Sequence, residues 1–208
     1  MMQRRLVLGA GLAGAAVLAG CAGPQVTDYA SETPLLDLRQ YFNGTLDAYG
    51  VFLDRSGHVV RRFTVVMNCS WNGADGVLDE DFIYSDGEKQ KRVWRMKYLG
   101  EGRYSGTAGD VIGTALGQTS GNAFRWGYTL LLPVGGKPSD AGPPPGASAP
   151  SGGSAERAAS SVGARIIEVQ FDDWMYQMDH RVMLNKAVMS KFGIYLGEVQ
   201  LTFVKRGA

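Results

Sequence analysis

Leu78-Asp79-Glu80-Asp81-Phe82-Ile83-Tyr84-Ser85-Asp86-Gly87-Glu88-Lys89-Gln90-Lys91-Arg92-Val93-Trp94-Arg95-Met96-Lys97-Tyr98 reads as one β-hairpin. Its first half sets Leu78, Glu80, Phe82 and Tyr84 on one face, and its second half sets Arg92, Trp94, Met96 and Tyr98 on one face. Side chains alternate across a strand, so each half presents one aromatic-rich face. Ser85-Asp86-Gly87 supplies a three-residue turn with glycine at the left-handed position. That turn pairs Tyr84 with Glu88 and Glu80 with Arg92, placing a carboxylate opposite a guanidinium on an otherwise aromatic face.

The pattern repeats outward in both directions. Turn signals recur at Ser56-Gly57, Asn72-Gly73, Gly100-Glu101-Gly102 and Ser120-Gly121. They divide the chain into strands near 43–54, 58–71, 77–84, 89–99, 103–109, 111–118, 122–133, 164–178, 181–189 and 194–205. Leu35 to Tyr41 is expected to form a short helical turn, with Leu36, Leu38 and Tyr41 packing inward. No amphipathic helix longer than two turns emerges. About ten short, hairpin-linked strands predict an all-β fold. The expected architecture is an antiparallel up-and-down β-barrel of the lipocalin-like type, because closure removes exposed strand edges. A sandwich is the main alternative. Gly106, Gly109, Gly113, Gly117, Gly121 and Gly127 suit tight strand curvature.

Two segments break the pattern. Residues 135–163 carry Pro138, Pro143-Pro144-Pro145 and Pro150 among Ser, Ala and Gly. They lack the bulky apolar groups that offset ordering entropy, so they are expected to be a disordered insertion between two strands of one sheet. Residues 21–34 are polar, with Pro24 and Pro34, and are expected to act as a flexible tether. Residues 35–207 then form the single barrel domain.

The first twenty residues carry an address. Arg4 and Arg5 precede Leu6 to Ala19, an uncharged apolar run of 14 residues. That length suits a signal peptide and is too short for a stable membrane span. Leu18-Ala19-Gly20-Cys21 resembles the lipobox of bacterial lipoproteins. The resemblance implies cleavage after Gly20, a lipid anchor (diacylglyceryl and an amide-linked acyl chain such as palmitate) on Cys21, and residence in the cell envelope facing the periplasm. Ala22 is not the aspartate that favours inner-membrane retention in some bacteria, so the expected site is the outer membrane. Gly9-Ala10-Gly11-Leu12-Ala13-Gly14 also matches a dinucleotide-binding fingerprint. That motif needs a full helix and a second strand after it, and neither follows.

Charge excludes one class of partner. The chain has 21 Lys and Arg against 20 Asp and Glu. Losing residues 1–20 removes Arg4 and Arg5 and no acid, so the mature chain carries 19 against 20 and a net charge of −1. No basic footprint for nucleic acid is present. Cys21 and Cys69 are the two cysteines. With Cys21 acylated, Cys69 has no partner, and its place in the run Phe63, Val65, Met67, Cys69, Trp71 predicts a buried, inert thiol.

Catalytic signatures are absent. His58 and His180 both fall at turns, and no metal, nucleophile-elbow or phosphate-loop motif occurs. No cofactor and no metal are expected. Asp172 and Asp173 are adjacent on a strand and face opposite ways, which makes them a poor acid–base pair. Asp173 continues the apolar row Ile167, Val169, Phe171, Met175, so it is either buried and hydrogen-bonded or at a cavity mouth. The ligand-binding candidates are Glu80, Arg92, Trp94, Trp126, Tyr128, Asp173, Trp174 and Tyr176, which offer aromatic walls and polar anchors. The leading expectation is a non-catalytic barrel holding a small amphipathic, lipid-like or quinone-like ligand. A structural envelope lipoprotein acting through protein contacts is the second reading. A barrel isomerase or hydratase using Asp173 or Glu80 as acid and base is the third.

From Leu36 to Lys205, with the proline-rich insertion set aside, the chain resembles the bacterial lipoprotein family known as domain of unknown function 3833. The resemblance rests on Tyr41-Phe42-Asn43-Gly44, Leu78-Asp79-Glu80-Asp81-Phe82, and Asp86-Gly87-Glu88 with Arg92-Val93-Trp94. It continues through Tyr104-x-Gly106-Thr107-Ala108, Asp110-Val111-x-Gly113, Gly121-Asn122-Ala123, Phe171-Asp172-Asp173-Trp174-Met175-Tyr176, Asn185 and Lys191-Phe192-Gly193. It implies an exported lipoprotein with a lipocalin-like barrel and carries no assigned activity or catalytic residue.

Overall fold

The computed structural model describes residues 23–134 and 165–207. Ten antiparallel strands run in chain order: β1 (Gly44–Asp54), β2 (Val59–Asn72), β3 (Asp75–Tyr84), β4 (Lys89–Gly100), β5 (Arg103–Thr107), β6 (Val111–Ser120), β7 (Ala123–Val134), β8 (Arg165–Gln177), β9 (Val182–Lys191) and β10 (Ile194–Lys205). Each strand pairs with its neighbours in sequence, and β1 pairs with β10 from Leu46↔Lys205 to Asp54↔Gly197, closing the barrel. Closure rules out the sandwich, because no strand edge is left between two sheets. The strand bounds fall within two residues of those expected.

The deciding hairpin has the register its turn dictates. Gly87 takes φ 86°. Tyr84 N–H donates to the Glu88 carbonyl at 2.9 Å, and Glu80 lies opposite Arg92. Alternation then sends Leu78, Glu80, Phe82 and Tyr84 inward together. The core is this single inner face, rich in Phe, Trp and Met. Large rings fit because small residues face them: a Cβ on Gly106 would sit 2.8 Å from Met96 Sδ and 2.9 Å from the Trp126 ring.

A short helix, α1 (Leu38–Tyr41), precedes β1, and its Leu38, with Phe42 after it, lines the end of the barrel interior. Asp37 caps it by accepting from Arg39 N–H at 2.9 Å. Leu38 and Tyr41 are buried beneath it, as is Leu36 just before it. The Tyr41 hydroxyl donates to the Arg181 carbonyl at 2.8 Å, and the Tyr104 hydroxyl donates to Asp37 Oδ1 at 3.0 Å.

The described part of the expected tether is not free. Residues 26–29 form a 3-10 turn, and Tyr29 packs edge-on against Trp174 and Tyr176 with ring centroids 5.9 and 5.2 Å apart. Arg125 Nη1 donates to the Pro24 carbonyl at 3.3 Å, and Leu36 N–H donates to the Gly121 carbonyl at 2.8 Å. A polar composition predicts a tether; Tyr29 against an outer aromatic pair, together with these hydrogen bonds, docks the segment. The expected signal peptide at 1–20, the lipidated Cys21 and the 135–163 insertion lie outside the described residues.

Candidate functional site

The barrel encloses a cavity of about 110 Å³. Its walls are mostly apolar and aromatic, including Phe82, Trp94, Trp126 and Phe171, and its polar lining is Glu80, Arg92, Tyr128, Asp173 and Asn185. The Trp94 and Trp126 ring centroids are 4.6 Å apart, and Tyr128 stacks on Phe171 at 5.1 Å. Glu80, Arg92, Trp94, Trp126, Tyr128 and Asp173 are therefore brought together, as their inward alternation requires.

Trp174 and Tyr176 are not part of this lining. They share the outer face with Asp172, and Tyr29 covers them. The Arg125 guanidinium lies 4.8 Å over the Trp174 ring and forks onto Asp172 at 2.7 and 3.0 Å. Alternation from an inward Asp173 turns both outward, so as cavity-lining candidates they are corrected: Tyr29 packs on both, and Tyr176 also lines a groove on the outer surface.

Glu80 and Arg92, set opposite each other by the Ser85-Asp86-Gly87 turn, do not form an ion pair with each other. The two residues face each other in register, but Arg92 Nη2 bonds Asp110 Oδ2 at 2.5 Å, with side chains 10% and 3% exposed. The reason is strand length. β5 stops at Thr107, opposite Arg95, so β4 loses that neighbour before reaching Arg92. Asp110, in the turn that follows, fills the gap. Burial opposes the Arg92 charge, but Asp110 and Glu80 outweigh it and raise the pKa. Arg92 Nε and Asp110 Oδ1 remain buried without partners among the described residues.

Glu80 is 9% exposed, lines the cavity and has no hydrogen-bond partner among the described residues. Burial pushes its carboxyl up to about 7, with Arg92 pulling the other way. Asp173 is held differently. It accepts from Trp126 Nε1 at 3.2 Å, from the Tyr128 hydroxyl at 3.0 Å and from Asn185 Nδ2. Burial raises its carboxyl to about 6, against the pull of those three donors. Burial also drives the Tyr128 hydroxyl well above its ordinary range.

Asp110 and Asn185 were missed as site residues. Each left a signal. Asn185 interrupts the apolar alternation of Met183, Ala187 and Met189, as Asp173 interrupts its own row. Asp110 follows Gly109 at a strand end, and its partner lies on a strand it does not pair with in register.

Neither histidine joins the site; His58 Nδ1 sits 2.8 Å from Ser56 Oγ in an exposed turn. Among the described residues, no group of three potential metal ligands occurs.

These features define a closed, lipocalin-like antiparallel barrel with charged groups around a small interior cavity. The chain belongs to the family described as protein of unknown function (DUF3833), whose model matches residues 15–141 and 157–205. No curated protein matches the chain. Among solved structures, it is similar to the S-type phycobiliprotein lyase CPES from Guillardia theta, with TM-score 0.52 and 6% identity over 89% of this chain and 99% of that one. It is also similar to a de novo designed fluorescence-activating β-barrel, with TM-score 0.39 and 10% identity over 83% of this chain and 100% of that one. The lyase likeness is one of fold.

Proposed function

We propose that this protein is a lipid-anchored envelope protein whose barrel holds one small amphipathic molecule. The observation that carries the ligand reading is Glu80: a carboxyl 9% exposed, with no hydrogen-bond partner among the described residues, facing an aromatic-walled cavity. A carboxyl kept there for stability alone would be expected to have a hydrogen-bond partner. The cavity volume of about 110 Å³ limits the guest. Ligand pockets commonly span roughly 300–1,000 Å³, whereas a cavity of about 150 Å³ admits benzene. The lipid-sized or quinone-sized guest expected from sequence is thus reduced to a short chain or, at most, one small ring. Native mass spectrometry of the full chain tests the reading. One small adduct that dissociates on unfolding is expected. A chain without an adduct, whose interior also refuses ring-sized probes, overturns it.

The anchoring reading rests on the resemblance of Leu18-Ala19-Gly20-Cys21 to a lipobox. Acyl chains on Cys21 would hold the barrel at the periplasmic face of the outer membrane, each buried CH₂ contributing about 0.8 kcal/mol. Radiolabelled palmitate should enter the wild-type chain and not Cys21→Ala. Equal labelling of both overturns the anchor.

A second reading, an envelope protein that works by surface contact, is favoured by an outer groove of about 920 Å³ whose lining includes Tyr49, Ile83 and Leu184. All three side chains are exposed. A photocrosslinker at Leu184 should then capture one stoichiometric partner in cells.

A further inference from the structure

The interior charges are unequal. Arg61 and Arg92 are two guanidiniums, whereas Glu80, Asp110 and Asp173 are three carboxyls, and Arg61 is taken at the barrel end by Asp86 and Glu88. Arg92 is taken by Asp110, and Asp173 is held by Trp126, Tyr128 and Asn185. Glu80 alone has no partner among the described residues, although it faces the cavity. From the elements around it, the titratable groups that act on it or feel it are Arg92 on β4, Asp110 after β5, Tyr128 on β7, Asp173 on β8, Cys69 on β2, and Asp79 and Tyr84 on its own strand. Arg92 is the cation in that set, and it is already paired.

We propose, building on the ligand reading above, that the cavity selects an organic cation: a ring-sized ammonium compound whose charge pairs with Glu80 and whose body lies against Trp94, Trp126 and Tyr128. A carboxylate-ended guest would add another buried anion with no free counter-ion, which low dielectric penalises heavily. A neutral guest can hydrogen-bond the protonated form of Glu80 but supplies no charge partner once the proton leaves. An ammonium group supplies that partner and meets the negative faces of three aromatic rings, each attractive to a desolvated cation. Burial holds Glu80 protonated up to near neutrality, so binding of the cation strengthens as pH rises through that range and a proton leaves.

Isothermal titration of the full folded chain with benzylammonium, benzyl alcohol and benzoate tests the proposal, because the three probes share a ring and differ in charge. At pH 8, benzylammonium should bind at least tenfold tighter than benzyl alcohol, with benzoate weakest. At pH 5.5 the preference should shrink. Glu80→Gln should bind benzylammonium and benzyl alcohol equally. The wild-type pH series asks the same question without a substitution, should the variant fold poorly. Benzoate binding as tightly as benzylammonium overturns the proposal, as does a preference that persists in Glu80→Gln. Equal binding of benzyl alcohol and benzylammonium by the wild type overturns charge selection and leaves the ligand reading standing. Failure to bind by all three probes and by isopropylammonium, a smaller cation that fits the same volume, overturns both.

Discussion

Arg92 faces Glu80 across the β3–β4 ladder, yet its guanidinium binds Asp110, 18 residues further along the chain. The pair is buried on both sides, so removing one partner strands a charge in low dielectric. Asp110→Asn should lower the unfolding free energy by about 3–5 kcal/mol. Replacing both residues with leucine should be less harmful than either single change. Glu80→Gln, which removes a carboxyl with no partner among the described residues, should be neutral or stabilising. Urea titration distinguishes these outcomes, and a Glu80→Gln loss as large as that of Asp110→Asn would contradict the assignment.

The interior carboxyls give stability an unusual pH dependence. Glu80 rises from an ordinary 4.5 to about 7 on folding, and Asp173 from 3.8 to about 6, both mainly through burial. In this window the folded chain holds protons that the unfolded chain has lost. The contribution of these groups is therefore full below the unfolded pKa and falls as pH rises through the folded one. Relative to Glu80→Gln, the wild type should lose stability between about pH 4.5 and pH 7 and then level off, by on the order of a few kcal/mol. Denaturation at several pH values measures the difference. A gap that widens in the opposite direction would show that Glu80 is stabilised as the anion.

Much of this arrangement is legible in the residues, and the exceptions have a common cause. Period-two alternation separates Asp173 from Trp174, and the Ser85-Asp86-Gly87 turn sets Glu80 against Arg92. Both are local consequences of strand geometry. The same alternation puts Trp174 and Tyr176 on the face opposite Asp173, outside the cavity lining. The Arg92–Asp110 pair depends on where β5 ends, and a five-residue strand gives periodicity too little length to fix its end. The docking of residues 23–34 depends on Tyr29 meeting Trp174 and Tyr176, nearly 150 residues away in sequence. Strand patterns report local faces; contacts made by a turn or by an irregular segment leave no period to read.

The docked N-terminal segment should be separable from the barrel. Tyr29 touches two outer rings, and such aromatic pairs contribute roughly 0.5–1.5 kcal/mol each. Tyr29→Ala should speed amide exchange at Ala30 and Glu32, whose N–H groups bond within the segment. Exchange in β7 and β8 should change little. Hydrogen exchange followed by mass spectrometry resolves the two regions, and equal protection before and after the substitution would refute the docking role.

The interior should also resist added volume at β5. Gly106 has room for no side chain, since a Cβ would come within 3 Å of both Met96 and Trp126. Gly106→Ala should destabilise the barrel by about 1–3 kcal/mol through overpacking. It should also shift the emission of the Trp94–Trp126 pair. A variant as stable as wild type, with unchanged emission, would mean that this wall yields more readily than its contacts imply.

Cys69 gives the most direct reading of barrel integrity in solution. The thiol is buried on the inner face of β2. Burial first, and then the nearby Glu80 charge, push its pKa up to about 12. The thiolate is the reactive form, so almost none is present at pH 8 and access is blocked as well. Iodoacetamide at pH 8 should leave the Cys69 peptide unmodified in the folded chain and alkylate it fully in urea, as followed by peptide mass spectrometry. The alkylation rate at intermediate urea should track global unfolding, because Cys69 sits in the closed ladder between β1 and β3. Rapid modification without denaturant would require β2 to open on its own, which a closed barrel does not permit.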